Sequence, residues 1–306
     1  MLSEFLGMKT TSVRTPTPTW EHAQEAEIAR TYATRWGPAI ERTLREGLAC
    51  ELMPGALFRQ PLEYVFASGG KRYRPLLTLA ACELVGGDPG VALEAGCAIE
   101  YLHTSSLLLD DLPCMDGAVE RRGRRALHHV VGEAETILVS LVLINVAHQM
   151  LARTGPANAT ARERFHGRIC HLIGPEGMIG GQQVDLWIAR GTVLPSPRDQ
   201  EGQWLRKTSA LITAALLAGA QVGVASVEQM QALERFGREL GEAYQLADDA
   251  LDVEEDLGRS HTSSNYTERA HKRLRNAIEL LQEGFAGSLA LPTMAALAAV
   301  CVDRTA

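Results

Sequence analysis

From Trp20 onward, apolar residues recur along this chain at intervals of three and four, the period of a helix with one face turned inward. Alternating β-branched stretches are few. The pattern predicts helices over roughly 20–48, 72–85, 90–112, 133–153, 158–190, 198–224, 227–257, 263–284 and 290–302. Turn-forming residues mark the joints: Gly86-Gly87-Asp88-Pro89-Gly90, Thr154-Gly155-Pro156, Leu194-Pro195-Ser196-Pro197 and Pro292. Two apolar runs, Ile137–Ala147 and Ala210–Ala225, fall short of the ~20 residues of a bilayer span and read as buried core helices. Residues 1–18 are rich in Ser, Thr and Pro, have no hydrophobic segment, and read as a mobile leader without a signal peptide. No repeat and no polar linker divides residues 19–306, so the expectation is one all-α domain, a helical bundle with several central helices.

Composition narrows the classes. With 46% hydrophobic and 22% charged residues in 306, this is an ordinary globular chain. A net charge of −7 with scattered basic residues argues against a nucleic-acid partner. The six cysteines form no C-x-x-C pair and sit mostly in apolar segments, which reads as buried free thiols in a reducing, cytoplasmic setting.

Two acidic clusters change the picture. Asp110-Asp111-Leu112-Pro113-Cys114-Met115-Asp116 ends the apolar run Leu107–Leu109, and Asp248-Asp249-Ala250-Leu251-Asp252 lies inside the apolar-flanked stretch Tyr244–Val253. Two unit charges at ~4 Å repel by roughly 4 kcal/mol at an effective dielectric of ~20. A cation must offset that, or the pKa values must rise. On a helix, Asp248 and Asp252 are one turn apart and Asp249 is rotated by about 100° from Asp248. Pro113 should end the first helix, so Asp116 must return from a loop. One such cluster alone is often a solvated helix end; two beside leucine-rich helices suit a hard cation such as Mg²⁺ bridging a diphosphate.

Basic residues supply the counterpart. Gly69-Gly70-Lys71-Arg72-Tyr73-Arg74-Pro75 sets cations just ahead of a helix start, where backbone N–H groups also favour anions. Arg121-Arg122-Gly123 follows the first acidic cluster. Lys207-Thr208 lies inside an apolar helix, where a lysine needs a counter-anion or a path to solvent. Gly180-Gly181 within a helical pattern costs about 1 kcal/mol per glycine against alanine, which close helix approach or a kink near Gln182 would justify. His128 and His129 read as surface residues, and Cys114 as a space-filler in its loop.

Taken in order, G-G-K-R-x-R-P, E-x-x-H-T-x-S-L-x-x-D-D (Glu100 to Asp111), D-D-L-P-C-M-D, R-R-G, G-M-I-G-G-Q-x-x-D-L (Gly177 to Leu186), K-T and Y-Q-L-A-D-D-x-L-D (Tyr244 to Asp252) resemble the trans-isoprenyl diphosphate synthases, the polyprenyl synthetase family. The resemblance spans roughly residues 50–257, and geranylgeranyl diphosphate synthases are its nearest type. It implies an isoprenoid-synthase helical bundle with a deep central apolar cavity, assembled as a homodimer. It implies a prenyltransferase that condenses isopentenyl diphosphate with an allylic diphosphate, dependent on Mg²⁺ with Mn²⁺ as a substitute. By matching position, Asp110, Asp111 and Asp116 would form the first metal site and Asp248, Asp249 and Asp252 the second. Arg121 and Lys207 would grip the allylic diphosphate, and Lys71, Arg74, His103 and Arg122 the isopentenyl diphosphate. Gln182, Asp185, Thr208 and Gln245 would line the reacting region, with Arg121, Lys207, Thr208 and Gln245 carrying the catalytic roles. Ser105 and Ser106, where a bulky aromatic would close the floor early, favour a C20 product. The chain departs from the family pattern at Gly117-Ala118-Val119 and at Gly258–Asn265, which lacks the usual lysines; Arg259 is the nearest replacement. A cyclase-like enzyme, a prenyltransferase with another acceptor, and a non-catalytic subunit remain alternatives. Decay of the isopentenyl residues would favour the first two, and broken aspartate clusters the third.

Overall fold

Helices account for nearly all of the computed structural model, which describes residues 20–51, 57–154, 159–191, 197–257 and 261–303. The expected leader, residues 1–18, lies outside them. The order is α1 (Trp20–Glu51), α2 (Arg59–Ala67), α3 (Tyr73–Leu84), a 3₁₀ turn (Pro89–Ala92), α4 (Leu93–Asp110), β1 (Glu120–Arg121), β2 (Arg124–Arg125), α5 (His128–Val131), α6 (Glu133–Arg153), α7 (Ala159–Ile173), α8 (Met178–Ala189), α9 (Pro197–Val222), α10 (Val227–Leu257), α11 (His261–Gly284) and α12 (Leu291–Val302). The all-α expectation holds.

Helix α9 is the centre because its sequence permits close neighbours. Every residue from Ser209 to Ala220 is buried, and alanine recurs throughout. Helices α3, α4, α8 and α10 pack around it. Glycines face it at the tightest points. A Cβ on Gly181 of α8 would lie 2.6 Å from Lys207 Cβ, and one on Gly241 of α10 would overlap Ser209. Gly181 is thus explained by close helix approach at the level of the K-T dipeptide, whereas a Cβ on Gly180 would overlap the Pro175 carbonyl ahead of α8. One hydrophobic cluster draws on α1, α3, α4, α6, α9, α10, α11 and α12, so the apolar stripes read from the sequence share a core.

Several expectations need correction. The helix expected over 158–190 is two, α7 and α8, divided at Gly174-Pro175; proline disfavours helical geometry in the residue before it and lacks an N–H. Ile137–Ala147 is half-buried rather than buried: Val139, Ser140, Leu143, Val146 and Ala147 face the core, while Ile137, Leu138 and Leu141 are exposed. Its helix, α6, is long and apolar enough to cross a membrane by length and composition, with 44% of its most apolar window buried. His128 is buried, not on the surface, whereas Cys114 is exposed in its loop. Cys82, Cys97 and Cys301 are buried free thiols as expected, and Cys170 is an exposed one.

Candidate active site

The first acidic cluster forms where α4 stops. Pro113 follows the helix end, and the chain turns back so that the Asp116 N–H donates to the Asp110 carbonyl at 2.9 Å. Asp110 and Asp111 are buried and Asp116 is exposed at the rim. Burial, reinforced by Asp116, pushes the Asp110 carboxyl up to about 6 against the pull of Lys207 and Arg121. Asp111 accepts from Arg121 Nε at 2.9 Å and Nη2 at 2.5 Å.

Arg121 reaches Asp111 from a hairpin that sequence reasoning missed. Glu120 pairs with Arg125, and Arg121 with Arg124. The two turn residues, Arg122 and Gly123, both have positive φ (54° and 70°), the requirement of a type I′ turn. Asn-Gly or Asp-Gly would have announced that turn; Arg-Gly did not. Helix α2, also missed, braces the hairpin: Arg124 donates to the Tyr64 carbonyl at 3.0 Å and stacks 4.0 Å over its ring, while the Tyr64 hydroxyl donates to the Arg125 carbonyl at 2.9 Å. A cleft opens here between α2, α4 and the hairpin, lined by Tyr64, Thr104, Leu107, Leu108, Asp111 and Arg121.

Lys207 enters from α9 and stands between two carboxylates, 3.0 Å from Asp185 of α8 and 3.5 Å from Asp110. Burial pulls its ammonium down, but Asp110 and Asp185 outweigh it and hold it above the usual lysine range. Burial likewise raises Asp185, against Lys207. Thr208, the next residue, donates its hydroxyl to Gln245 Oε1 on α10, and Gln245 Nε2 donates to Asp249 Oδ1 at 3.1 Å. Consecutive residues of one helix therefore link to both acidic clusters, Lys207 directly to Asp110 and Thr208 through Gln245 to Asp249. Asp248 and Asp249 are half-buried on α10; Asp252 lies on the same helix, with its side chain outside the described residues, as is Arg259. Around this junction, Asp185 Oδ1 and both polar atoms of Gln182 are buried without a hydrogen-bond partner among the described residues, an arrangement that awaits polar ligand atoms.

A second basic notch adjoins the hairpin. Arg122 Nη1 donates to the Gly69 carbonyl at 2.6 Å, bringing the turn onto the loop that carries Lys71. Arg74 is buried in the first turn of α3 with its Nε unpartnered among the described residues. Burial, then Arg74, Arg122, Arg121 and Arg72, hold His103 well below the usual imidazole range. Arg72 differs from its neighbours: it is buried and pairs with Glu41 (2.7 Å) and Glu100 (3.2 Å). Ser105 and Ser106 turn their hydroxyls back to the carbonyls of Leu102 (2.7 Å) and His103 (2.9 Å), leaving small side chains below Asp110.

A helical bundle with two carboxylate clusters and a cationic rim defines the isoprenyl diphosphate synthase class of folds. The closely similar solved structure of an FPP/GFPP synthase from Zymomonas mobilis shares that fold, at 28% identity and a TM-score of 0.75 over 90% of this chain and 98% of that one. The chain belongs to the polyprenyl synthetase family, whose model matches residues 55–283. Among similar plant proteins, the mitochondrial geranylgeranyl pyrophosphate synthase 10 of Arabidopsis thaliana is 39% identical over 75% of this chain and 68% of its own length. A chloroplastic geranylfarnesyl diphosphate synthase of Leucosceptrum canum is 40% identical over 66% of this chain, and the chain spans only 57% of that relative's length.

Proposed function

We propose that this protein is a chain-elongating prenyltransferase that joins isopentenyl diphosphate to an allylic diphosphate, giving a short all-trans prenyl diphosphate of C20 length. One observation carries the reading: Lys207 and Thr208, adjacent on α9, connect the first acidic cluster at Asp110 and, through Gln245, the second at Asp249. Acidic walls joined in this way suit a diphosphate held through hard cations.

Mg²⁺, with Mn²⁺ as a substitute, is the cofactor in this reading. The donor set fits it, being all oxygen, and Asp185 Oδ1 is buried without a partner among the described residues. Asp110, Asp111 and Asp116 would hold ions on one wall, and Asp248, Asp249 and Asp252 on the other. When bound, such ions act as Lewis acids on the departing diphosphate.

The chain's own residues do the rest. Arg121 and Lys207 now neutralise Asp111, Asp110 and Asp185. Released from those carboxylates, they would grip phosphate oxygens and offset the negative charge that grows as the allylic C–O bond ionises. Lys71, Arg74, His103 and Arg122 hold the isopentenyl diphosphate; the buried Arg74 Nε, without a partner among the described residues, supports this placement. Burial and then the gathered guanidiniums favour the neutral form of His103. Thr208, Gln245 and Gln182 fix the reacting region, and the apolar flank of α4 excludes water from the carbocation. The double bond of isopentenyl diphosphate attacks, and its proton leaves to the released diphosphate. Ser105 and Ser106 leave room for a growing chain in the apolar cavity that the family resemblance implies.

A homodimer in the cytoplasm completes the proposal, supported by the bare apolar face of α6 and by the free thiols. The test is an assay of purified protein with Mg²⁺, isopentenyl diphosphate and C5, C10 or C15 allylic diphosphates. Growth to C20 is expected, with Asp111→Ala lowering turnover at least ~100-fold while circular dichroism stays unchanged, on the scale of lost charge-stabilising groups. Hydrocarbon release without chain growth, or near-normal turnover in the variant, would refute it.

A further inference from the structure

Outside the acidic site, three ligand-type side chains converge between α6 and α7. His148 comes from α6; His166 and Cys170 are spaced i, i+4 on α7 and share one face. His148 Nδ1 lies 3.1 Å from His166 Nε2, and Cys170 Sγ lies 3.8 Å from His166 Nδ1. One donor atom from each residue falls within 4.8 Å of the others. In a tetrahedral zinc shell with Zn–N of ~2.0–2.1 Å and Zn–S of ~2.3 Å, neighbouring donors stand about 3.3–3.6 Å apart. The histidine pair is already near that separation through His166 Nε2, whereas Cys170 Sγ faces His166 Nδ1, so joint coordination requires the exposed Cys170 side chain or the His166 ring to turn. Burial and the neighbouring His166 lower the His148 pKa, which favours the neutral imidazole that coordination needs.

The helix that carries two of these residues is thinly anchored. Only Phe165 and Ile169 of α7 are buried in the core. The chain then runs through Gly174-Pro175 into α8, which positions Gln182 and Asp185. A clamp between α6 and α7 would therefore steady the approach to the active-site helix.

We propose that His148, His166 and Cys170 form a second metal site, for a borderline-soft divalent cation of the Zn²⁺ type, that pins α7 to α6. Solvent supplies the fourth ligand, and the Cys170 thiol yields its proton to solvent on binding. Two imidazoles and a thiolate select against Mg²⁺, so the site is chemically separate from the oxygen-lined one.

Co²⁺ replaces Zn²⁺ as an optical probe, because a thiolate–Co²⁺ bond gives a near-ultraviolet charge-transfer band that carboxylates do not. Full-length protein stripped with a chelator is titrated with Co²⁺. The expected result is a band saturating at about one equivalent per chain, bleached by Zn²⁺. Cys170→Ser and His166→Gln should abolish it, whereas Cys114→Ser, which removes the exposed thiol beside the acidic cluster, should retain it. Zn²⁺ should also raise the thermal midpoint of the wild type and not that of Cys170→Ser. A wild-type protein with no band, or a band that survives Cys170→Ser, overturns the proposal and leaves a hydrogen-bonded histidine pair.

Discussion

Arg72 carries its charge into the core from a left-handed backbone position, φ 47°, at the start of α3. Glu41 and Glu100 surround its guanidinium, and Glu100 is only 2% exposed. Removing one partner of a buried pair strands the other charge, which typically costs about 3–5 kcal/mol. Arg72→Ala should therefore lower unfolding free energy by about 3–5 kcal/mol in a denaturant titration; a loss near that of a surface arginine would contradict the structural role. From the sequence, Arg72 was one of three cations in a single anion-binding string, and its role differs because its acidic partners lie 31 and 28 residues away. Lys207 was more legible. A lysine in an apolar helix demands an anion, although nothing local says that Asp185 and Asp110 provide it before any phosphate does.

Among the helices, length decided what could be read. The long, periodic ones lie near their expected bounds, except that 158–190 is two helices, and Gly181 marks the close packing of α8 on α9. Short elements with unusual turn residues, α2, α5 and the Arg122-Gly123 hairpin, did not, since their form comes from tertiary contacts such as Arg124 on Tyr64. One contact between helices titrates. His271 of α11 bonds Asp303, just past the end of α12, at 2.7 Å, and that bond raises the histidine pKa. A folded pKa above the unfolded value means the stabilisation is complete below about pH 6.5 and fades as pH rises through the raised folded value. The side chains are partly exposed, so solvent screening keeps the gain below about 1 kcal/mol. Urea melts at several pH values should show a steeper loss for wild type than for Asp303→Asn across that window; parallel profiles would exclude the linkage.

For the whole molecule, one side of α6 is an apolar surface turned outward on a long helix. Ile137, Leu138 and Leu141 stand exposed along it while the opposite side packs on α4. Contiguous apolar surface of this kind marks association. Leu141→Glu should convert the proposed homodimer to monomer by light scattering, with helicity preserved; an unaltered mass would move the interface elsewhere. The bundle, the two carboxylate clusters and their basic counterparts were all visible in the sequence, because each demands a distinctive residue type. How they meet was not, because that depends on which helices α9 brings side by side. The hairpin adds one further consequence. Arg121 holds Asp111 while Arg122, one peptide unit away, holds the carbonyl of Gly69. A ligand that drew the first arginine from its carboxylate would tug the loop gripped by the second, so events at the two ends of this short strap would be felt reciprocally.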